Sequence, residues 1–481
     1  MDKASIIAGY YQFEPTDEQL EFCREMASFL SGELDRQCFI LKGYAGTGKT
    51  TSVGALVKAM SKFSLRAVLL APTGRAAKVM SNYTGRKALT IHKKIYRKKT
   101  AVGTDMSFQL APNLAEHTLF IVDEASMIAD EWNTRTGSSL LRDLMEFVYN
   151  RKNCAVVFVG DIAQLPPVGS IDSPALNPDH ITSNFPVMVS WVELKEVVRQ
   201  EKKSGILANA TMLRSMINEG EDPEGDQKIQ QPKFITKSFK DVFRMTGLKF
   251  VEGLEYAYQK FGIENSLVVC RSNKSANVYN QQIRARLLYR EEELTGGDQI
   301  MVVKNNYFWL PDNESAAFIA NGDMAKVVRV RRMEERYGFR FCEVNLEFLD
   351  FPEAGQITCK VMLDTLTAET PNLSYEQSNK LFESLNEDYA HLTNKKERFD
   401  AIKGDPYYNA LQIKFAYAVT CHKAQGGQWD AVFVDQGYLT DEMIDLDFLR
   451  WLYTGVTRAK KELFLVNFAP TLFASPADEQ F

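Results

Sequence analysis

Gly43-Tyr44-Ala45-Gly46-Thr47-Gly48-Lys49-Thr50 has the spacing of a phosphate cradle, G-x-x-x-x-G-K-[ST], directly after an apolar run and before a helical one. Gly43, Gly46 and Gly48 let the backbone wrap so that amide N–H groups point inward at phosphate oxygens, and the following helix adds its positive end. Lys49 is spaced to reach the outer phosphates and Thr50 to ligate magnesium, with Ala45, Thr47 and Thr51 completing the nucleotide-binding set. The segment TLFIVDE (118–124) supplies a second half, because its apolar strand delivers Asp123 and Glu124 to one end. Asp123 is expected to hold magnesium together with Thr50, and Glu124 to orient or deprotonate an attacking water. A lone Asp-Glu pair is ordinarily a solvated strand end. Beside a phosphate cradle it reads as the hydrolytic half of a nucleoside triphosphate site.

The elements that must position these groups are short apolar runs, each ending in a polar or glycine-bearing cluster: CFILKG (38–43), LRAVLLAPT (65–73), TLFIVDE and CAVVFVGD (154–161). Helical spacing over 52–63 and 75–81 separates them, and strand alternating with helix predicts an α/β fold with a buried parallel sheet. In such sheets ligands sit beyond the carboxyl ends of the strands. A second series, SLVVCRS (266–272), FAYAVTCHKAQG (415–426), AVFVDQG (431–437) and ELFLVNF (462–468), predicts a second α/β unit. Between them the chain turns to punctuated extended segments and a polar helical stretch over 374–399, read as a small β-rich insertion. The expected organisation is a first unit over 1–200, a second from 201–295 plus 406–481, and the insertion at 296–405. The acidic stretch 218–226 reads as an exposed loop.

At 481 residues and 45% hydrophobic content the chain is long enough for two or three cores. It holds no run of about 18 apolar residues able to span a bilayer, and Met-Asp-Lys-Ala-Ser does not begin like an export signal. A cytoplasmic protein without membrane contact is expected. Seven scattered cysteines with no C-x-x-C pair read as buried reduced thiols, against a zinc site or disulfide framework. The net charge of −5 argues against a protein coated indiscriminately in nucleic acid, so any such ligand needs a local groove.

A phosphate cradle alone permits kinases, GTPases, transporters and motors. The order of the later clusters narrows the choice: GDIAQLPPV (160–168), VELKEVVRQ (192–200), YAVTCHKAQGGQWD (417–430) and YTGVTRAKK (453–461). This series, spanning about 15–468, resembles the superfamily 1 DNA helicases, and more closely the RecD and Dda-like branch. The resemblance implies two RecA-like P-loop NTPase domains around one ATP and its Mg2+, moving 5′-to-3′ along single-stranded DNA. It also implies a small hairpin insertion at about 97–115 in the first domain and a Src-homology-type β-barrel insertion in the second. By the same resemblance Gln19 in PTDEQ reads the adenine, and Gln164 senses the γ-phosphate and links it to the DNA groove. Arg199 and Arg458 would be arginine fingers, and Gly426 with Gln425 would lie on the ATP side.

APTGRAAKV (71–79) and ALTIHKKIYRKK (88–99) resemble motifs Ia and Ib, which places Pro72, Thr73, His92 and Lys93 on single-stranded DNA. Lys94, Arg97, Lys98 and Lys99 add local positive charge. Asn273 and the motif V residues Thr420, His422 and Lys423 would form a second grip. The segment 100–113 reads as a hairpin with Gly103 at its tip. Phe108 would be either a duplex-splitting pin or a partly buried residue of a plain hairpin. The expected partners are single-stranded DNA, single/double-strand junctions and single-strand-binding or replication proteins, and the chain is expected to work as a monomer. The expected activity is ATP-driven unwinding in repair, recombination or replication. A translocase that displaces proteins and a nucleotide-timed recruitment subunit are the alternative readings.

Overall fold

The structure is a computed structural model that describes residues 2–98, 108–132, 138–198, 204–220, 229–310, 319–349, 351 and 354–474. Arg199, Gly103 and Lys99 lie outside the described residues, as do the side chains of Phe108 and Lys98.

The first domain is built on strands β1 (Gln37–Gly43), β2 (Arg66–Ala71) and β3 (Ala88–Thr90). The short pair β4 (Tyr96–Lys98) and β5 (Phe108–Leu110) follows, then β6 (Thr118–Val122), β7 (Cys154–Gly160) and β8 (Met188–Leu194). Six of these form one sheet in the order β3-β2-β6-β7-β1-β8, every pairing parallel. The central strands β6 and β7 are buried along their whole length because both faces are covered, while the edge strand β8 exposes Met188 and Trp191. Phe39 and Leu41 pack on one side with Phe22, Leu56 and Met80, while Cys38 and Ile40 pack on the other with Leu144 and Phe147. This is the pattern of a doubly wound parallel sheet. The carboxyl ends of β1, β6 and β7 therefore open on the same edge, where the sequence places its polar clusters. The β4–β5 pair is antiparallel, with Tyr96 opposite Leu110 and Lys98 opposite Phe108.

The second domain takes β9 (Val242–Met245) and β10 (Ser266–Cys270) from before the insertion, and β16 (Ala418–Thr420), β17 (Trp429–Asp435) and β18 (Ala459–Val466) from after it. They form a parallel sheet in the order β16-β10-β17-β18-β9. Helices Phe250–Phe261 and Asn273–Gln282 cover one face, and Gly205–Gly220 and Leu446–Val456 the other. The run 415–426, expected as one strand, is instead divided into a strand end, the short β16 and a helical turn, Cys421–Ala424. Asn280 enforces the break: its Oδ1 accepts from the amides of Tyr417 and Ala418 at 3.1 and 2.8 Å, and its Nδ2 donates to the carbonyls of Phe415 and Ala418 at 3.2 and 2.9 Å.

The insertion is a closed barrel of β11 (Gln299–Val302), β12 (Met324–Arg336), β13 (Phe339–Phe348), β14 (Gln356–Met362) and β15 (Leu411–Phe415). Its closing strand lies beyond the expected limit at 405, because β15 pairs antiparallel with β11 and parallel with β14. A parallel return needs a crossover. Helices Tyr375–Asp388 and Lys395–Lys403 provide it, and Leu381, Leu385 and Ile402 cap the barrel against Phe339, Phe341 and Met362. All seven cysteines are buried and free. Among the described residues no helix is long and apolar enough to cross a membrane.

Candidate nucleotide and nucleic-acid sites

The cradle residues follow β1 and turn into helix Lys49–Ala59, with Gly46 at φ +77 and Gly48 at φ +84, a left-handed backbone that glycine adopts without cost. Gly48 has a second reason to be glycine, since a Cβ there would come 2.3 Å from Gln19 Nε2. Gln19 itself is buried against the cradle. It completes a capping box with Thr16, its Oε1 accepting from the Thr16 amide at 3.1 Å, and its Nε2 donates to the Thr47 carbonyl at 3.2 Å. Thr50 and Thr51 are exposed at the helix start. Lys49 Nζ donates to the carbonyls of Gly43 and Tyr44 at 3.0 and 2.7 Å and lies 3.8 Å from Asp161 Oδ2.

Asp123 and Glu124 meet the cradle from the end of β6. Asp123 Oδ2 accepts from the Tyr83 hydroxyl at 2.7 Å and Oδ1 from the Glu124 amide at 2.9 Å. Glu124 sits at φ +53, a conformation that costs a non-glycine residue on the order of 1–3 kcal/mol and is held by its surroundings. Burial pushes the carboxyl of Asp123 up from its ordinary range. Burial likewise pushes Glu124 up to about 7, with Asp123 and Asp161 adding repulsion and Arg458 and Lys49 opposing it. Glu124 is thus poised near neutrality, where a general base exchanges protons most usefully.

From the other domain, helix Leu446–Val456 and the residues after it reach the same edge. Tyr453 OH accepts from the Ala45 amide at 2.8 Å and donates to Asp161 Oδ2 at 2.7 Å. Thr454 Oγ1 accepts from the Leu165 amide at 2.8 Å, and Gln425 Nε2 donates to the Leu165 carbonyl at 2.7 Å. Arg458 is buried, its guanidinium donating to the carbonyls of Thr454 and Gly427 at 2.9 and 3.2 Å and to Thr457 Oγ1 at 3.1 Å. Gln164 is buried among these groups, and its Oε1 has no hydrogen-bond partner among the described residues.

The residues expected on nucleic acid fall into two groups. Thr73, following Pro72, caps helix Gly74–Thr84 by accepting from the Ala76 amide at 3.2 Å, and His92 lies with its ring 5.5 Å from that of Tyr96. Burial pushes the His92 imidazole down to about 4, so at neutral pH it offers a ring and a polar edge but no charge. Lys93 stands 4.9 Å over the Phe351 ring of the insertion, which brings the barrel to the first group. The second group converges, since Asn273, Asn277, Thr420 and Lys423 line one narrow cleft together with Lys414. Burial pushes both Lys414 and Lys423 down to about 8, and Lys414 adds repulsion at Lys423. The exposed His422 sits one residue away, its imidazole also pushed down by desolvation.

Gly426, expected on the nucleotide side, lies at the domain seam, where a Cβ would come 2.9 Å from Ala76 Cβ and 3.2 Å from Thr73 Oγ1. Nearby, Arg75 of the first domain stands 3.9 Å over the Trp429 ring of the second. Sequence reasoning passed over Lys414, Asp161 and Tyr453. The last two sit inside GDIAQ and YTGVTRAKK, and a tyrosine in the largely apolar helix FLRWLYTGV was the available signal. Lys414, in the strand LQIKF, gave none.

Residues 15–236 match the AAA domain family and residues 415–466 the UvrD-like helicase C-terminal domain. The chain is similar to the ATP-dependent DNA helicase dda of Enterobacteria phage T4, at 23% identity over 89% of this chain and 93% of that protein. It is also similar to the ATP-dependent RecD2 DNA helicase of Deinococcus radiodurans, at 32% identity over 43% of this chain and 25% of that protein. A solved structure of Pif1 helicase from Bacteroides in complex with ADP-AlF3 and ssDNA matches at 13% identity with a TM-score of 0.47, covering 96% of this chain and 95% of that one.

Proposed function

We propose, because the chain belongs to the superfamily 1 helicases of the RecD and Dda type, that it hydrolyses ATP to move 5′-to-3′ along single-stranded DNA and to separate duplex ahead of it. The supporting observation is that Tyr453, Thr454 and Gln425 of one domain bond directly to the cradle and the Asp161–Leu165 loop of the other. A change at the phosphate end of this site therefore acts on contacts that join the two domains.

Lys49 exchanges its carbonyl partners for the outer phosphates of ATP, a cation for carbonyl oxygens and then for stronger acceptors. Glu124 takes the proton of the attacking water. Arg458 brings positive charge from the second domain toward the transferred phosphoryl group, an effect worth about 10³ to 10⁵ in rate for such arginines. Mg2+ needs hard oxygen donors, and the exposed Thr50 hydroxyl and the Asp123 carboxylate fit it, with phosphate and water oxygens as the remainder. When bound, it would neutralise charge on the phosphates. The grips around Thr73 and His92 and around Asn273, Thr420 and Lys423 stand on opposite domains, so alternate holding during opening and closure advances the chain along the strand.

The test is strand displacement with ATP and Mg2+ on duplexes carrying a single-stranded tail. Unwinding of the 5′-tailed duplex, and its loss in Lys49→Ala with DNA binding retained, supports the reading. Unwinding only of the 3′-tailed duplex would reverse the direction. Stripping of bound protein from single strands without duplex separation would favour a translocase.

A further inference from the structure

Two kinds of contact cross the seam at the nucleotide site. Thr454 and Gln425 both bond to the backbone of Leu165, outside the cradle, and so face the domains toward each other. Tyr453 differs, because its hydroxyl joins the Ala45 amide of the cradle to Asp161 Oδ2 in one bifunctional contact. The same carboxylate oxygen lies 3.8 Å from Lys49 Nζ, so the charge of the cradle lysine stands beside the oxygen that accepts from the second domain's tyrosine. Asp161 is 1% exposed and Tyr453 1%, and water does not compete for either group. When Lys49 turns toward phosphate, the balance of charge at Asp161 changes; the Ala163 amide stays on Oδ1 at 3.0 Å, and the Tyr453 hydroxyl is the donor from the second domain that feels the change at Oδ2.

The other end of this helix segment leads to the DNA grip. The Cys421 thiol lies 3.5 Å from the Trp451 carbonyl, two residues before Tyr453, and Cys421 sits between Thr420 and His422. A shift of Tyr453 along its helix axis is therefore passed to the turn that carries both expected DNA contacts.

We propose that Tyr453 is the positioning residue through which the state of the phosphate cradle is transmitted to the single-strand grip at Thr420 and His422. It acts through Ala45 and Asp161 on one side and through the Trp451–Cys421 contact on the other. The proposal rests on the reading of the chain as a DNA-driven ATPase. Its consequence is a linkage: nucleotide and single-stranded DNA change each other's affinity by the same factor, and that factor depends on one hydroxyl.

The experiment uses the full chain and a fluorescently labelled oligothymidylate, with the dissociation constant read by anisotropy in Mg2+ alone, with ADP and with a non-hydrolysable ATP analogue. The unsubstituted protein is expected to show a nucleotide-dependent change of about 5- to 150-fold, the range of ordinary coupling energies. Tyr453→Phe, which keeps the ring and removes the hydroxyl, is expected to bring that ratio within about twofold of one. Asp161→Asn is expected to do the same, and the double variant no more than either alone. A structural role would lower affinities while leaving the ratio in place. Retention of the full ratio in a folded Tyr453→Phe, or in Asp161→Asn should the first variant not fold, overturns the proposal. Absence of any nucleotide effect in the unsubstituted protein overturns the motor reading as well, and that pattern is distinct from loss confined to the variants.

Discussion

Gln425 of the second domain donates through Nε2 to the carbonyl of Leu165 in the first, 2.7 Å away and buried. The two residues stand at the ends of segments proposed to face different ligands: Leu165 follows the Asp161–Gln164 turn on the cradle side, and Gln425 follows the turn that carries Thr420 and His422. Gln425→Ala leaves the Leu165 carbonyl buried and unpaired, at a cost of about 1–3 kcal/mol. If that cost falls on the closed arrangement, DNA-stimulated turnover drops by about ten- to hundredfold while ATP affinity changes less. Steady-state ATPase rates with and without single-stranded DNA check this.

The acid limb of the pH profile should belong to Glu124. A general base works in its ionised form, so a carboxyl pushed up to about 7 makes kcat/KM for ATP rise with pH through neutrality and level off above it. Glu124→Gln removes the limb and lowers the rate by about 10² to 10⁴. A limb that persists unchanged in this variant assigns the titration to another group.

His92 gives a stability prediction of opposite kind. Its imidazole is pushed down from 6.5 to about 4 by burial, so the folded chain resists a proton that the unfolded chain accepts. The stability tied to the neutral ring is complete above pH 6.5 and is lost as pH falls toward 4, by up to ~3 kcal/mol. The stability difference between the unsubstituted protein and His92→Asn should be constant above 6.5 and shift against the former below it. Urea unfolding at a series of pH values measures the difference.

Lys414 should contribute to DNA affinity through charge. It lines the cleft of Asn273, Thr420 and Lys423 and keeps its Nζ on the Thr365 carbonyl at 3.2 Å. A phosphate held there relieves the repulsion between Lys414 and Lys423. Lys414→Met should weaken binding of all single-stranded sequences alike and reduce the slope of log affinity against log salt by about 1. Anisotropy titrations over a range of salt concentrations would show an unchanged slope if Lys414 only braces the barrel.

The nucleotide half of the site was legible because each part is contiguous. Gly43 to Thr50 fixes a loop by glycine spacing, and Asp123 and Glu124 lie at the end of an apolar run whose partners needed no identification. The seam was not legible in the same way. Leu165 and Gln425 meet only because two sheets present their edges to each other, and nothing local to either residue encodes that. Lys414 was hidden because a strand buried on both faces reads as structure even when its one cation turns into a cleft. The barrel's limit failed for a topological reason: β15 closes the barrel by a parallel pairing with β14, while its apolar sequence continues into the second domain's strands.

The most direct test of a nucleotide site shared between two domains is the ATPase rate of Arg458→Ala in saturating single-stranded DNA, measured beside ATP binding and thermal unfolding. A folded variant that binds ATP within a few-fold of the unsubstituted chain and turns over about 10³ or more slower is the predicted result. Turnover at the unsubstituted rate would contradict it, because the first domain would then be hydrolysing ATP alone.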